Sequence, residues 1–79
     1  MGEVTVRVED AIRALVASGE YGPADKLPSE RRLAEDLSAG RTTVRLVLTK
    51  LAAEGLVRAE HGRAYYIAVR SEAEGRTDG

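Results

Sequence analysis

A Ser-Ala-Gly break at residues 38–40 separates two short amphipathic stretches, and it constrains the fold of this 79-residue chain more than any other feature. Before the break, Leu33, Ala34 and Leu37 recur at helical spacing. After it, an apolar stripe of the same period continues to Gly55, which can end a helix in a left-handed conformation. Two short helices joined by a tight glycine-containing turn are typical of a helix-turn-helix unit, although many helical hairpins share this spacing.

The segments before this unit are separated by glycine and proline. Apolar spacing predicts a first helix over residues 6–18, although the alternation of Val4 and Val6 leaves a short strand as the alternative at its start. Residues 20–28 contain both prolines of the chain and are predicted to form a loop. Ser29 then suits the N-cap of the second helix, because its hydroxyl can accept a backbone N–H of the next turn.

The third helix, predicted over residues 41–54, carries the most informative surface. Its buried stripe is predicted to consist of Val44, Val47, Leu48 and Leu51. The residues that this stripe leaves facing outward are Thr42, Arg45, Leu46 and Thr49, with Arg41 and Thr43 beside them at the helix start. Such a helix fits the major groove of DNA, where arginine can bind guanine through two acceptors and threonine can contact base or phosphate. The alternative is an ordinary solvated face, since arginine and threonine are common on exposed helices.

Beyond the third helix the pattern changes from helical spacing to alternation. Residues 56–60 and 65–70 are predicted strands, joined by a hairpin turn over 61–64. The polar residues 71–79 are predicted to form a disordered tail, which leaves 1–70 as one folded domain. The predicted fold class is α+β, with three helices followed by a C-terminal β-hairpin.

The composition argues against several classes of function. No cysteine is present, so neither a disulfide nor a thiolate metal site can form, and a reducing cytoplasm suits such a chain. No apolar run approaches the roughly 20 residues of a membrane span, and no signal-peptide core is present, so we expect a soluble cytoplasmic protein without membrane contact. His61 is the only histidine and lies in a predicted turn without an evident acidic partner. We therefore expect no enzyme, and no cofactor or metal.

The charge distribution distinguishes the two halves of the chain. The net charge of −1 by itself argues against a nucleic-acid partner. Residues 1–30, however, carry three basic and six acidic side chains, whereas residues 40–70 carry six basic and two acidic ones. Phosphate binding responds to a local basic patch rather than to the molecular total. The second half of the chain is therefore the candidate surface for double-stranded DNA.

The order of motifs along the chain is more specific than any single motif. The motifs are SGEYGP at 18–23, KLPSER at 26–31, LAEDL at 33–37, RTTVR at 41–45, LAAEGLV at 51–57 and HGR at 61–63. Together they strongly resemble the GntR family of bacterial transcription regulators over residues 8–69. The resemblance implies a winged helix-turn-helix domain, in which the third helix is the recognition helix and the C-terminal hairpin is the wing.

The resemblance also implies three groups of DNA contacts. Arg31 would contact DNA near the start of the second helix. In the major groove the contacts would be Arg41, Thr42, Thr43 and Arg45, with one of the two arginines reading guanine. At the wing they would be His61, Gly62 and Arg63, with His61 and Gly62 at the minor groove and Arg63 on a phosphate.

Three departures from the family pattern affect the expected sequence preference. Gly40 stands where the family usually has a serine, so the third helix loses a hydroxyl cap. Ala64 replaces the usual glycine after the wing arginine, which can change the shape of the wing tip. Leu46 replaces a residue that is usually polar, and it could contact a thymine methyl group or a partner protein.

The family resemblance implies further partners and leaves two alternatives open. It implies a homodimer on a pseudo-palindromic operator, with repression as the commoner mode. Family members normally carry a larger C-terminal domain that binds a metabolite, and the chain is interpreted as either an excised DNA-binding domain or a stand-alone regulator; no small-molecule effector can be inferred from its residues. One alternative function is a winged-helix protein-interaction module, which Leu46 and the low net charge favour. The other is a small architectural or recombination-accessory DNA-binding protein.

Overall fold

The helical and alternating patterns of the sequence form three helices followed by an antiparallel hairpin. The computed structural model of the protein describes residues 2–60 and 64–68. Its elements are α1 (Glu3–Ala17), α2 (Glu30–Leu37), α3 (Arg41–Ala53), β1 (Val57–Glu60) and β2 (Ala64–Ile67). This order confirms the predicted α+β class. The tail predicted over residues 71–79 lies outside the described residues.

Helix α1 begins at Glu3, earlier than the residue 6 that periodicity predicted. The alternative of a strand at Val4 and Val6 is wrong, because both residues lie within this helix. Both valines are exposed, and the buried stripe of the helix begins at Val8. Alternation of apolar and polar residues indicates a strand when one face of that strand is buried. Because both valines are exposed, their alternation does not correspond to a buried strand face.

The turn between α2 and α3 depends on backbone hydrogen bonds at residues of ordinary type. Ser29 caps α2 as predicted, because its hydroxyl accepts a first-turn N–H at 3.1 Å. At the other end, Ser38 adopts a left-handed conformation with φ of 53°. The N–H of Ala39 then donates to the carbonyl of Ala34 at 2.9 Å, which satisfies an orphan carbonyl of the last turn. Gly40 follows as the N-cap of α3, without a side-chain hydrogen bond.

Substitution of Gly40 by serine is expected to stabilise the domain by a few tenths of a kcal/mol. Gly40 has φ of −77° and ψ of 152°, which an L-residue adopts without strain, and apart from Gly40 and its two chain neighbours no atom of the described residues lies within 4 Å of an added Cβ. A serine hydroxyl there can accept an orphan N–H of α3. Gly40→Ala is the matched control, because it adds the Cβ without the acceptor. Thermal unfolding of both variants tests the point, and an alanine variant as stable as the serine variant would contradict it.

Helix α1 is tied by its side chains to both of the following helices. Arg7 Nη1 donates to the carbonyl of Leu37, in the last turn of α2, at 2.7 Å. Carbonyls at a helix end lack intrahelical partners, so a cation placed there satisfies one of them and complements the helix dipole. Lys50 of α3 pairs with Glu9 of α1 at 3.0 Å. These contacts hold α2 and α3 against the same supporting helix.

The core is aliphatic apart from one tyrosine, as the absence of phenylalanine and tryptophan requires. The buried residues are Val8, Ile12, Leu27, Leu33, Ala34, Val44, Val47, Leu48, Leu51, Val57, Tyr65 and Ile67. The stripe predicted for the third helix is confirmed in full, since all four of its members are buried. Helix α3 is therefore held by the core along its whole length, and its other face is left to solvent.

A third segment extends the hairpin of β1 and β2. The two strands pair in antiparallel register, with Val57 opposite Ile67. Residues 24–27, inside the predicted loop, lie along the free side of β2: Leu27 N–H donates to the Tyr65 carbonyl and Ile67 N–H donates to the Asp25 carbonyl, each at 2.8 Å. Sequence reasoning missed this pairing, because the two prolines and the glycine of the predicted loop, residues 20–28, indicated only irregular structure. The hairpin base is thereby joined to the segment that leads into α2.

Candidate nucleic-acid interface

The outward face of α3 carries the side chains that the sequence placed there. Thr42, Arg45, Leu46 and Thr49 are exposed, as is Arg41 in the first turn, whereas Thr43 is partly buried. On the opposite side of the helix, Val44 and Leu48 are 0% exposed. An amphipathic helix of this kind presents one fixed set of polar groups while its other face is locked in the core. The orientation of α3 is therefore set by packing and not by the polar side chains themselves.

Arg45 is exposed but already paired within the protein. Its Nε lies 3.2 Å from both carboxylate oxygens of Glu30, and its Nη2 lies 3.0 Å from Glu30 Oε1. The arginine side chain is 59% exposed, whereas the Glu30 side chain is only 11% exposed. The pair joins the first turn of α2 to the outward face of α3.

Glu30 has a second partner on the wing. The hydroxyl of Tyr65, a buried residue of β2, donates to Glu30 Oε2 at 3.3 Å. The hydrogen bond from Arg45 lowers the pKa of Glu30 below its ordinary value, against the opposing effect of burial. Burial, together with the nearby Glu30 charge, raises the pKa of Tyr65. At neutral pH the carboxylate is therefore charged and the phenol keeps the proton that it donates.

The other predicted arginines of the helix-turn-helix unit lie close to this carboxylate or beside it in sequence. Arg41, in the first turn of α3, is near enough for its charge to lower the pKa of Glu30 further. Arg31 follows Glu30 directly, and its side chain is 75% exposed and pairs loosely with Glu35 at 3.6 Å. The structure thus brings Arg41 and Arg45 together around one acidic residue at the α2–α3 junction, with Arg31 beside it.

The base of the wing adds a further arginine that sequence reasoning did not single out. Arg58 of β1 lies over the ring of Tyr66, with 5.3 Å from the guanidinium carbon to the ring centroid, and it also pairs with Glu60. Arginine over an aromatic face gains a cation–π attraction. The wing-tip residues that the family resemblance named are His61, Gly62 and Arg63, and all three lie outside the described residues.

Sequence reasoning missed the role of Glu30 in this cluster. Glu30 lies in the KLPSER run, but an acidic residue in the first turn of a helix is already explained by the helix dipole. Nothing in the local pattern connects it to Arg45, fifteen positions later, or to Tyr65.

A shallow apolar groove lies beside the polar face. Val6 of α1 and Leu46 of α3 are 51% and 55% exposed, and with Val47 they line a space of about 300 Å³. Glu9 and Lys50, which pair with each other, also line it. The groove is the main apolar departure from an otherwise polar α3 surface.

Within residues 2–60 and 64–68, no three or more acidic, histidine or cysteine side chains are grouped so as to hold a metal ion. Over the same residues, no helix is both long enough and apolar enough to span a membrane.

Comparison with known proteins identifies the domain. A family model described as bacterial regulatory proteins, gntR family, matches residues 4–67. The HTH-type transcriptional regulator Mce2R of Mycobacterium tuberculosis is 46% identical over 59 residues, which are 75% of this chain and 25% of that protein. The HTH-type transcriptional repressor NanR of Klebsiella aerogenes is 38% identical over 55 residues, which are 70% of this chain and 21% of that protein. The chain thus spans about a quarter of the length of these relatives.

A solved structure agrees with the fold. The AraR DNA-binding domain, crystallised in complex with its operator ORR3, superposes with a TM-score of 0.77 at 25% sequence identity. The match covers 86% of this chain and 82% of the AraR chain. The predicted architecture of three helices and a β-hairpin wing is confirmed by this match.

Proposed function

The chain belongs to the gntR family of bacterial regulatory proteins, and we propose that it binds an operator in double-stranded DNA as the winged helix-turn-helix domain of a transcriptional regulator. Membership of this family assigns the chain to DNA-binding regulators and not to enzymes. The observation that carries the proposal is the exposed face of α3, where Arg41, Thr42 and Arg45 project from a helix whose opposite face is buried. The operator complex of the similar AraR domain supports it.

In the proposed complex, α3 lies in the major groove with its first turns against the bases. The N-terminal side chains of a recognition helix meet base edges first, and arginine matches the two acceptors of guanine. The proposed contacts are Arg31, Arg41, Thr42, Thr43 and Arg45 from the helices, and His61, Gly62 and Arg63 from the wing. The wing tip, over residues 61–64, lies at the minor groove, and the folded domain extends over residues 1–70.

The whole regulator is proposed to act as a homodimer. Two copies related by a two-fold axis match a pseudo-palindromic operator, whose half-sites repeat the same sequence in opposite directions. Repression is the favoured mode, since the similar NanR protein is named a repressor.

The deciding experiment is selection of bound duplexes from a random-sequence pool at near-physiological salt, followed by a salt titration of the selected duplex. Each phosphate neutralised by a cation contributes about −0.9 to the slope of log affinity against log salt. We expect enrichment of one sequence and a slope of about −3 or steeper, which corresponds to three or more phosphate contacts. Either the absence of an enriched sequence or a flat titration of the selected duplex would overturn the proposal.

Arg63→Ala is expected to weaken binding to all duplexes by similar factors and to reduce the salt slope by about one unit, because a phosphate contact carries no base information. Arg76→Ala is the matched control: it removes the same charge from the predicted tail, outside the proposed contacts. Salt titrations on the selected duplex and on a scrambled one measure both effects. An unchanged slope for Arg63→Ala removes this residue from the interface.

One observation favours a second candidate function, a protein-interaction module. The groove lined by Val6, Leu46 and Val47 is apolar and open to solvent, and apolar surface of this kind also serves protein contacts. The salt titration separates the two functions, because an apolar protein contact does not weaken steeply with salt.

A further inference from the structure

We propose that Glu30 is a positioning residue, which holds the guanidinium of Arg45 in the orientation that reads guanine and thereby converts general affinity for DNA into sequence discrimination. This inference rests on the proposed function. Arginine side chains are long and rotate about several bonds, so an unheld guanidinium samples many orientations. The geometry at Glu30 removes that freedom on the face that is proposed to meet the bases.

Glu30 occupies one edge of the Arg45 guanidinium. Nε and Nη2 of Arg45 both donate to the carboxylate, at 3.2 and 3.0 Å, so the side edge of the fork is engaged. Within the described residues, Nη1 makes no hydrogen bond. The remaining end edge, with Nη1 and the second Nη2 hydrogen, matches the O6 and N7 acceptors of guanine. Glu30 and a guanine can therefore bind Arg45 at the same time.

Glu30 is itself held in place by its surroundings. It lies in the first turn of α2, its side chain is 11% exposed, and it accepts a hydrogen bond from the buried Tyr65 of the wing strand β2. A carboxylate fixed by a helix on one side and a strand on the other is a rigid anchor for Arg45. Recognition groups built this way keep their geometry because the groups behind them cannot move.

The negative charge of Glu30 changes what Arg45 offers to DNA. A carboxylate at hydrogen-bond distance neutralises most of the field of Arg45 and also repels phosphates nearby. An arginine that is paired in this way gains little from a phosphate, whereas it still matches the fixed acceptors of a guanine. Glu30 is therefore expected to weaken binding to unrelated DNA while it favours the operator.

The test compares Glu30→Gln with the wild-type 79-residue chain on two probes. The probes are the duplex that wild-type protein selects from a random pool and a scrambled duplex of the same composition. We expect the ratio of the two affinities to fall by at least about tenfold, with scrambled-duplex affinity unchanged or tighter. The salt slope on the scrambled duplex should become steeper by about one unit, because Arg45 is then free to bind a phosphate.

A positional readout separates positioning from a general structural effect. Glu30→Gln should relax preference at the same base pair as Arg45→Ala, and the double variant should discriminate no worse than Arg45→Ala alone. Asp36→Asn is the matched control, since it removes the same charge from α2 and its partner Arg32 lies outside the proposed contacts. Circular dichroism of each variant establishes that it is folded.

The outcomes are distinct. An unchanged affinity ratio for folded Glu30→Gln, or an equal fall for Asp36→Asn, overturns the inference while leaving DNA binding intact. If Glu30→Gln does not fold, Tyr65→Phe decides: it removes only the anchoring hydroxyl, and an unchanged ratio there also overturns the inference. Failure of the wild-type chain to select any duplex overturns the proposed function itself.

Discussion

Leu48→Ala is expected to cost about 2–5 kcal/mol of folding free energy, which for this domain approaches the whole of its stability. Leu48 is 0% exposed, in the stripe of α3 that faces the core. A domain of this size rarely gains more than about 3–5 kcal/mol from its core. Truncation to alanine leaves a cavity in this core, and no disulfide compensates, because the chain has no cysteine.

Leu46→Ala provides the matched control for this prediction. It makes the same chemical change in the same helix, but Leu46 is 55% exposed, so the expected cost is within about 0.5 kcal/mol. Urea unfolding of the two variants, followed by circular dichroism, measures both values. Equal losses would mean that the buried face of α3 is not the one described above.

Arg45→Ala is expected to weaken binding to the selected duplex by about 5- to 150-fold and to relax preference at one base pair. The loss on a scrambled duplex should be much smaller, since Glu30 already neutralises much of the Arg45 charge. The variant also leaves the Glu30 carboxylate without its arginine partner beside the DNA, which adds to the loss on both duplexes. Affinity measurements on a panel of single-base variants of the selected duplex resolve the position that is read.

Arg32→Ala is the charge-matched control for Arg45→Ala. Arg32 lies on α2, is 67% exposed and pairs with Asp36. Its loss should change affinity for both duplexes little and by the same factor. If Arg45→Ala instead weakens the selected and the scrambled duplex equally, Arg45 is a phosphate contact and not a base contact.

Sequence reasoning was most successful where one face of an element is buried. The α3 stripe, the Ser29 cap and the position of the turn all follow from spacing and from local hydrogen-bond chemistry, and each is confirmed. These features depend on residues within a few positions of one another. Local chemistry therefore predicted the helix-turn-helix unit almost completely.

Contacts between distant residues were beyond the reach of such reasoning. The pairing of residues 24–27 with β2 requires a register that only the folded chain defines. Pro23 and Pro28, which flank this segment, indicated a loop instead. The junction of Glu30, Arg45 and Tyr65 connects α2, α3 and β2. Sequence patterns predicted that Arg45 faces outward, but they could not predict that its side chain is already paired.

The backbone pairing of residues 24–27 with β2 has an evolutionary consequence. A two-stranded hairpin alone is marginally stable in water, so this third segment fixes the direction in which the wing leaves the body of the domain. An insertion or deletion before α2 would shift that pairing and swing the wing relative to α3. In the proposed complex such a change would move the wing on the DNA, so the preferred operators of two related proteins could differ while every residue of α3 stays the same.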